Sequence, residues 1–217
     1  MAAPVLANDS DAVRKEYNIV HNQDTKCISI SHIYKQTLLS RFNFMKGYKI
    51  ITVEKTHSIR KSKDAYLLSR DEIRSYRRNY QFLHIGLVQF SISNNSLRNN
   101  VESFPLSVCL RDSKYPNYQD SILVSVDSDL CVSKSKMNFN WFPNFSSSLS
   151  VLVNSNNGLV VTIDHPQVDS VYLDIKYRVY FKLMKTSLKP DYLFDNPVLE
   201  VNTEKVNVIV PKISDQS

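Results

Sequence analysis

An all-β fold is what this sequence predicts: a jelly-roll-like or Greek-key antiparallel β-sandwich, with one or two short helices in its N-terminal third. Three observations predict it. About eight or nine short apolar runs recur with turn residues between them, the spacing of sandwiches and barrels. One of these, VYLDIKYRVYFKLM, alternates with unusual regularity. Val171, Leu173, Ile175, Tyr177, Val179, Phe181 and Leu183 fall on one side of it, and Asp174, Lys176, Arg178 and Lys182 on the other. Helical spacing is confined to the first third, and no internal repeat is visible. At 42% hydrophobic and 11% aromatic, 217 residues suffice for a sizeable core.

Taken in order, residues 1–24 are polar and aperiodic and are expected to form a flexible lead-in. In ISISHIYKQTLLSRF, Ile30, Ile33, Tyr34, Leu38 and Phe42 recur at helical spacing, so the pattern predicts an amphipathic helix from Ile28 to Phe42. YKIITV, from Tyr48 to Val53, reads as a first strand. In SRDEIRSYRRNY, Ser69 stands three residues before Glu72, the spacing of a capping box, so a helix starts at Ser69. From Phe82 to Ile92 the chain is apolar at both parities, which predicts a strand covered on both faces. That period places Phe82, His84, Gly86, Val88, Phe90 and Ile92 together, opposite Leu83, Ile85 and Leu87. FPLSVCLRD, SILVSV, KMNFNWF and LSVLV read as further strands, and Asn157-Gly158 as a hairpin turn. KVNVIV is the last strand. The predicted organisation is a lead-in (1–24), a β-sandwich domain (25–185) and a C-terminal extension (186–217).

Charge is distributed unevenly. The net charge is +6, yet Arg41 to Arg78 alone hold eleven Lys or Arg against four acids, so the rest of the chain is close to neutral. A local cationic excess of this kind suits an anionic partner. Arg70, Arg74, Arg77 and Arg78 are three or four apart and share a helix face. With Tyr76 and Tyr80 beside them, they are candidates for backbone contact and base stacking on nucleic acid; a solvated helix face is the plain alternative. Arg60, Lys61 and Lys63 are candidates of the same kind, or a solvated loop.

Signals for catalysis are weak. The five histidines are scattered without HExxH spacing, GxSxG does not occur, and three glycines cannot build the Gly-rich phosphate loops. His84, inside an apolar strand, is expected to be a satisfied core histidine. Asp127 and Asp129 form a DxD that reads as a turn rather than a metal site. Trp141 and Phe142 are expected in the core. Three widely spaced cysteines suggest reduced thiols. No signal-peptide pattern opens the chain and no run approaches the ~20 apolar residues of a membrane span. No cofactor or metal is expected.

Three stretches, in order, resemble the thirty-kilodalton superfamily of plant virus movement proteins, in particular the movement domains of pararetroviruses. FLHIGLVQFSI is similar to the family's strand with a small residue after a hydrophobic pair, here Gly86. FPLSVCLRD is similar to its signature strand ending in an aspartate, here Asp112, for which a structural role is favoured. FNWFPNFSSSLS is similar to its aromatic-Pro-Asn segment. The resemblance covers roughly Ile28 to Met184. It implies a jelly-roll-like sandwich without enzymatic activity that binds single-stranded nucleic acid and carries a viral genome through plasmodesmata. Self-association, in many members into tubules, is implied too, and host plasmodesmal or membrane-associated proteins are further candidate partners. The competing reading is a jelly-roll capsid or tubule subunit without significant affinity for nucleic acid.

Overall fold

The computed structural model describes residues 18–21, 28–35, 47–94, 104–130, 136–154, 157–165, 172–186, 189–201 and 206–209. Twelve strands are described, in chain order β1 (Asn18–His21), β2 (Tyr48–Ile59), β3 (Lys63–Tyr66), β4 (Phe82–Asn94), β5 (Pro105–Asp112), β6 (Ile122–Asp129), β7 (Lys136–Phe142), β8 (Phe145–Ser148), β9 (Leu159–Asp164), β10 (Leu173–Met184), β11 (Val198–Val201) and β12 (Val206–Ile209). They form two sheets. One runs β1-β11-β7-β4-β10-β2, with β8 also on β4, and the other runs β12-β6-β5-β9-β3.

Set aside β1, β8, β11 and β12, and the eight strands left pair first with last, second with seventh, third with sixth and fourth with fifth. These are β2 with β10, β3 with β9, β4 with β7 and β5 with β6, all antiparallel. A long hairpin rolled so that its rungs alternate between two sheets has this order, and it defines the jelly roll. The segments expected at the periphery contribute as well: β1 lies parallel to β11 at one edge, and β12 extends the other sheet beyond β6.

The sheets enclose one apolar core. Phe90, Ile92, Phe139, Trp141, Tyr177, Val179 and Phe181 come from the larger sheet, and Val108, Leu110, Val124, Val126, Val161 and Ile163 from the smaller. Trp141 and Phe142 are buried, as the sequence predicts. Helices α1 (Arg70–Arg77) and α3 (Leu149–Asn154) add Ile73, Leu149, Leu152 and Val153 to this core, and α2 is a single turn (Tyr118–Ser121).

Four local expectations are corrected. First, Gly86 is an extra residue in β4: Tyr180 of β10 faces Leu87, and Phe181 faces Ile85. This bulge switches the parity of the strand. Leu83, Ile85, Val88, Phe90 and Ile92 therefore all reach the main core, while Leu87 joins a second cluster on the outer surface of the sheet. Second, of the helix predicted from Ile28 to Phe42, the described residues 28–35 form a 3-10 turn, Ile30–His32, and residues 36–42 lie outside the described residues. Tyr34 instead bridges Tyr192, and the Lys35 amide donates to the Asp191 carbonyl. Third, LSVLV is α3 and not a strand. Leu149, Leu152 and Val153, at helical spacing, are its buried residues. Asn157-Gly158 consequently follows a helix and makes no hairpin, and no described glycine has positive φ. Fourth, Asp127 and Asp129 lie within β6. Asp129 accepts the Phe104 amide at 2.6 Å, and Asp127 the Ser125 hydroxyl at 3.1 Å.

The bulge explains the small residue. A Cβ on Gly86 would stand 2.6 Å from both Ile33 Cγ2 and the Tyr34 hydroxyl, and the Gly86 carbonyl accepts a 2.6 Å hydrogen bond from Tyr192. Gly86→Ala is expected to destabilise by about 2 kcal/mol through overpacking. Calorimetry should then show Tm lower by roughly 4–8 °C.

Candidate nucleic-acid interface

Helix α1 begins as its capping box dictates. The Glu72 amide donates to Ser69 Oγ at 3.3 Å, and the Ser69 amide to Glu72 Oε2 at 2.5 Å. Ile73 is its buried anchor. Glu72 also pairs with Lys55 of β2 at 2.8 Å, which fastens the helix to the sheet edge. Arg70 donates to the Val153 carbonyl at 3.1 Å, satisfying a C-terminal group of α3. Arg74 is 3.4 Å from Asp71, while Arg77 and Arg78 are exposed. Arg74, Arg77 and Arg78 are exposed on or just after this helix, while Arg70 is partly committed to holding two helices together.

The second basic group lies where the chain crosses between sheets. Arg60, Lys61 and Ser62 connect β2 to β3, and Lys63 opens β3. Ser62 fastens this crossover, donating to Asp164 at 2.6 Å and accepting the His165 amide at 3.2 Å. The Arg60 guanidinium lies 4.2 Å from the Tyr172 ring centre, and Lys61 and Lys63 are exposed. Lys55, the anchor of α1, precedes Arg60 by five strand residues, about 17 Å. The α1 anchor and the crossover thus lie at different points along edge strand β2, while Arg77 and Arg78 lead to Gln81, whose amide bonds Met184 opposite the Tyr48 end of that strand.

Pairing decides how much of that charge remains. Every acid of the basic stretch is engaged. Glu72 and Asp71 pair with Lys55 and Arg74, inside the stretch. Asp64 pairs with Arg111, and Glu54 with Lys176 and Arg178, outside it. Hydrogen bonds from Lys176 and then Arg178 hold the Glu54 carboxyl below its usual range. Tyr76 and Tyr80 are placed less openly than their sequence position suggests. Both are half-buried against the core, Tyr76 with its ring centre 5.5 Å from that of Phe181.

The other residues singled out in the sequence take structural positions. His84 is fully buried, its Nδ1 3.1 Å from the Tyr34 hydroxyl and its Nε2 3.1 Å from Asn144 Oδ1. Burial pushes its pKa down to about 4, helped by the Lys182 charge and opposed by the Asn144 bond. Lys182 was missed: alternation puts it on the polar side of β10, but residues 189–195 lie over it. It is buried, donating to the Pro190 carbonyl at 2.8 Å and Asp191 at 3.1 Å, with its ammonium 4.2 Å from the Tyr48 ring centre. Asp112 accepts the Lys114 amide at 3.0 Å, and burial raises its pKa. Among the described residues no His, Cys, Asp or Glu cluster could hold a metal ion.

A two-sheet jelly roll with a cationic edge and these signature strands can be set beside known proteins. The sequence matches the viral movement protein (MP) family over residues 15–192. The chain belongs to this family. Movement proteins are in general non-enzymatic. Among curated proteins, none matches this movement protein. Solved structures similar to it include turnip yellow mosaic virus at 100 K, with 9% identity and a TM-score of 0.32 over 68% of this chain and 98% of that one. The decameric BFDV capsid protein is similar with 12% identity and a TM-score of 0.30, over 64% of this chain and 98% of that one. Scores of this size leave the fold assignment to the strand order. No helix among the described residues is long and apolar enough to cross a membrane.

Two outcomes are expected. His84 is neutral in the folded protein, so below pH ~6.5 the unfolded chain takes up a proton that the folded chain refuses until about pH 4. Stability should fall across that window by about 3 kcal/mol from this group, and His84→Gln should flatten the pH profile of Tm. Asp112→Ala should cost about 1 kcal/mol through the lost acceptor, read as a lower Tm.

Proposed function

We propose that this movement protein carries a viral genome between plant cells through plasmodesmata, binding single-stranded nucleic acid along its cationic edge without sequence preference. The observation that supports it is the pairing pattern above. The four acids of the basic stretch are all engaged, two of them by cations outside it, and Arg60, Lys61, Lys63, Arg77 and Arg78 remain at the surface. Exposed cations spread along an edge suit a flexible phosphate backbone. Tyr76 and Tyr80 flank Arg77 and Arg78 with their exposed margins. In this reading the protein works in the cytoplasm and at plasmodesmata, self-associates, and meets host plasmodesmal or membrane-associated proteins there. It requires no cofactor.

The strand order supports a second reading, since jelly rolls also build viral shells. A capsid or tubule subunit would use the same edge against another protein.

Binding of a fluorescent single-stranded oligonucleotide across a salt series separates the two. Arg74, Arg77 and Arg78 changed together to Ala should weaken binding and reduce the log–log salt slope by about 2, at ~0.7 per phosphate contact. Arg70 is left in place because it holds α3. Absence of wild-type binding at low salt would favour the subunit reading.

A further inference from the structure

The cationic edge offers charge, but its two tyrosines are packed against the core. Exposed rings occur elsewhere. Tyr66, Tyr115 and Tyr118 are 46%, 37% and 45% exposed, which is high for such large side chains. The topology gathers them at one end of the outer face of the smaller sheet. Tyr66 of β3 and Arg111 of β5 both pair with Val160 of β9, so they flank it on either side. Both point outward, since Val108 and Leu110 at the opposite parity of β5 reach the core. The Arg111 guanidinium is fixed by Thr162 at 2.8 Å and Asp64 at 2.7 Å, and lies 4.6 Å from the Tyr118 ring centre. The turn carrying Tyr115 is stitched beside Tyr66: Ser113 exchanges backbone and hydroxyl hydrogen bonds with Gly158, where an added Cβ would stand 3.5 Å from the Tyr66 ring.

We propose that this patch is a base-stacking site for single-stranded nucleic acid, with Tyr66 and Tyr118 as its platforms and Tyr115 at its rim. Two further features select nucleic acid as the occupant. Lys114 stands beside Tyr115 with its ammonium 5.8 Å from the ring centre, and the exposed Lys63 opens the strand that Tyr66 ends, about 10 Å away along it and at the alternate parity. Of its acids, Asp64 is paired with Arg111, while Asp112, which accepts the Lys114 amide, and Asp120 of α2 keep their charge, so the nearby lysines are partly offset and the tyrosine rings carry the site. Rigid rings braced from below, beside cations that track a backbone, fit bases of any identity. The site rests on the nucleic-acid reading above and divides the work: the edge holds phosphates and the tyrosines hold bases.

Stacking and charge respond differently to salt, so they can be told apart. An oligothymidylate and an abasic strand of equal length would be titrated across a salt series with wild type, with Tyr66→Ala/Tyr118→Ala, and with Tyr66→Phe/Tyr118→Phe. Wild type should prefer the strand with bases. The Ala variant should lose that preference and about tenfold or more in affinity, with its salt slope unchanged, while the Phe variant keeps both. Quenching of 2-aminopurine in the wild-type complex reads stacking without any variant. If the Ala variant keeps full affinity and base preference while binding stays salt-steep, the stacking site is overturned and the cationic edge stands. If wild type binds neither strand, both readings fall. If the Ala variant binds normally but sediments as smaller assemblies, the patch is a protein contact and the proposal is overturned.

Discussion

Much of this structure depends on the pairing of β4 with β10, twelve rungs long and interrupted by one extra residue. Without Gly86 the period of two would send either Leu83 and Ile85, or Val88, Phe90 and Ile92, to the outer side of the sheet. With it, all five reach one core. The bulge also turns His84 and Leu87 outward, and an apolar or polar group there needs cover. Cover comes from two segments that meet across Tyr34 and Tyr192: one lies against Gly86, and the other closes over Lys182. Asn144 and Asp191, the two described non-glycine residues with positive φ, stand at these closures, bonded to His84 and Lys182. Backbone strain is accepted where a buried polar group needs a partner.

The electrostatics follow a similar logic of placement. Cations at the sheet edge stay at the surface, and those near the middle of a sheet are neutralised or buried. Glu54 takes two of them on the outer face of β10, Asp64 takes Arg111, and Lys182 has a carbonyl, a carboxylate and two tyrosine rings. A buried ammonium is tolerated when its donors are used in this way. The net charge of +6 therefore says less than its distribution does.

How far the sequence could be read varied with the range of the interactions. The capping box at Ser69, the alternation of β10 and the burial of Trp141 are local or strictly periodic signals, and they predict what is found. The parity switch at Gly86 was hidden because one inserted residue leaves each half of the strand looking regular. LSVLV has β-branched, strand-like composition, and its helix is imposed by packing against α1, a tertiary effect. Lys182 looked exposed because the residues covering it lie beyond the strand that carries it. The exposed tyrosines could not be told from packed ones: Tyr66 stands beside Ala65, Leu67 and Leu68, and Tyr76 beside Ser75, Arg77 and Arg78, yet the fold turns the first outward and the second against Phe181.

Pairing first strand with last has a consequence for how such a chain reaches its fold. Strand β4 is apolar on both sides over much of its length, and one of its flanking partners, β10, comes far later in the chain. During synthesis it must wait beside an open edge, the situation that makes non-local β topologies slow to fold and prone to wrong partners. The charged stretch that immediately precedes it, ending in Arg77 and Arg78, repels other copies of the same nascent segment. Positive charge next to the stickiest strand thus protects the chain before it is folded, in the manner of a gatekeeper.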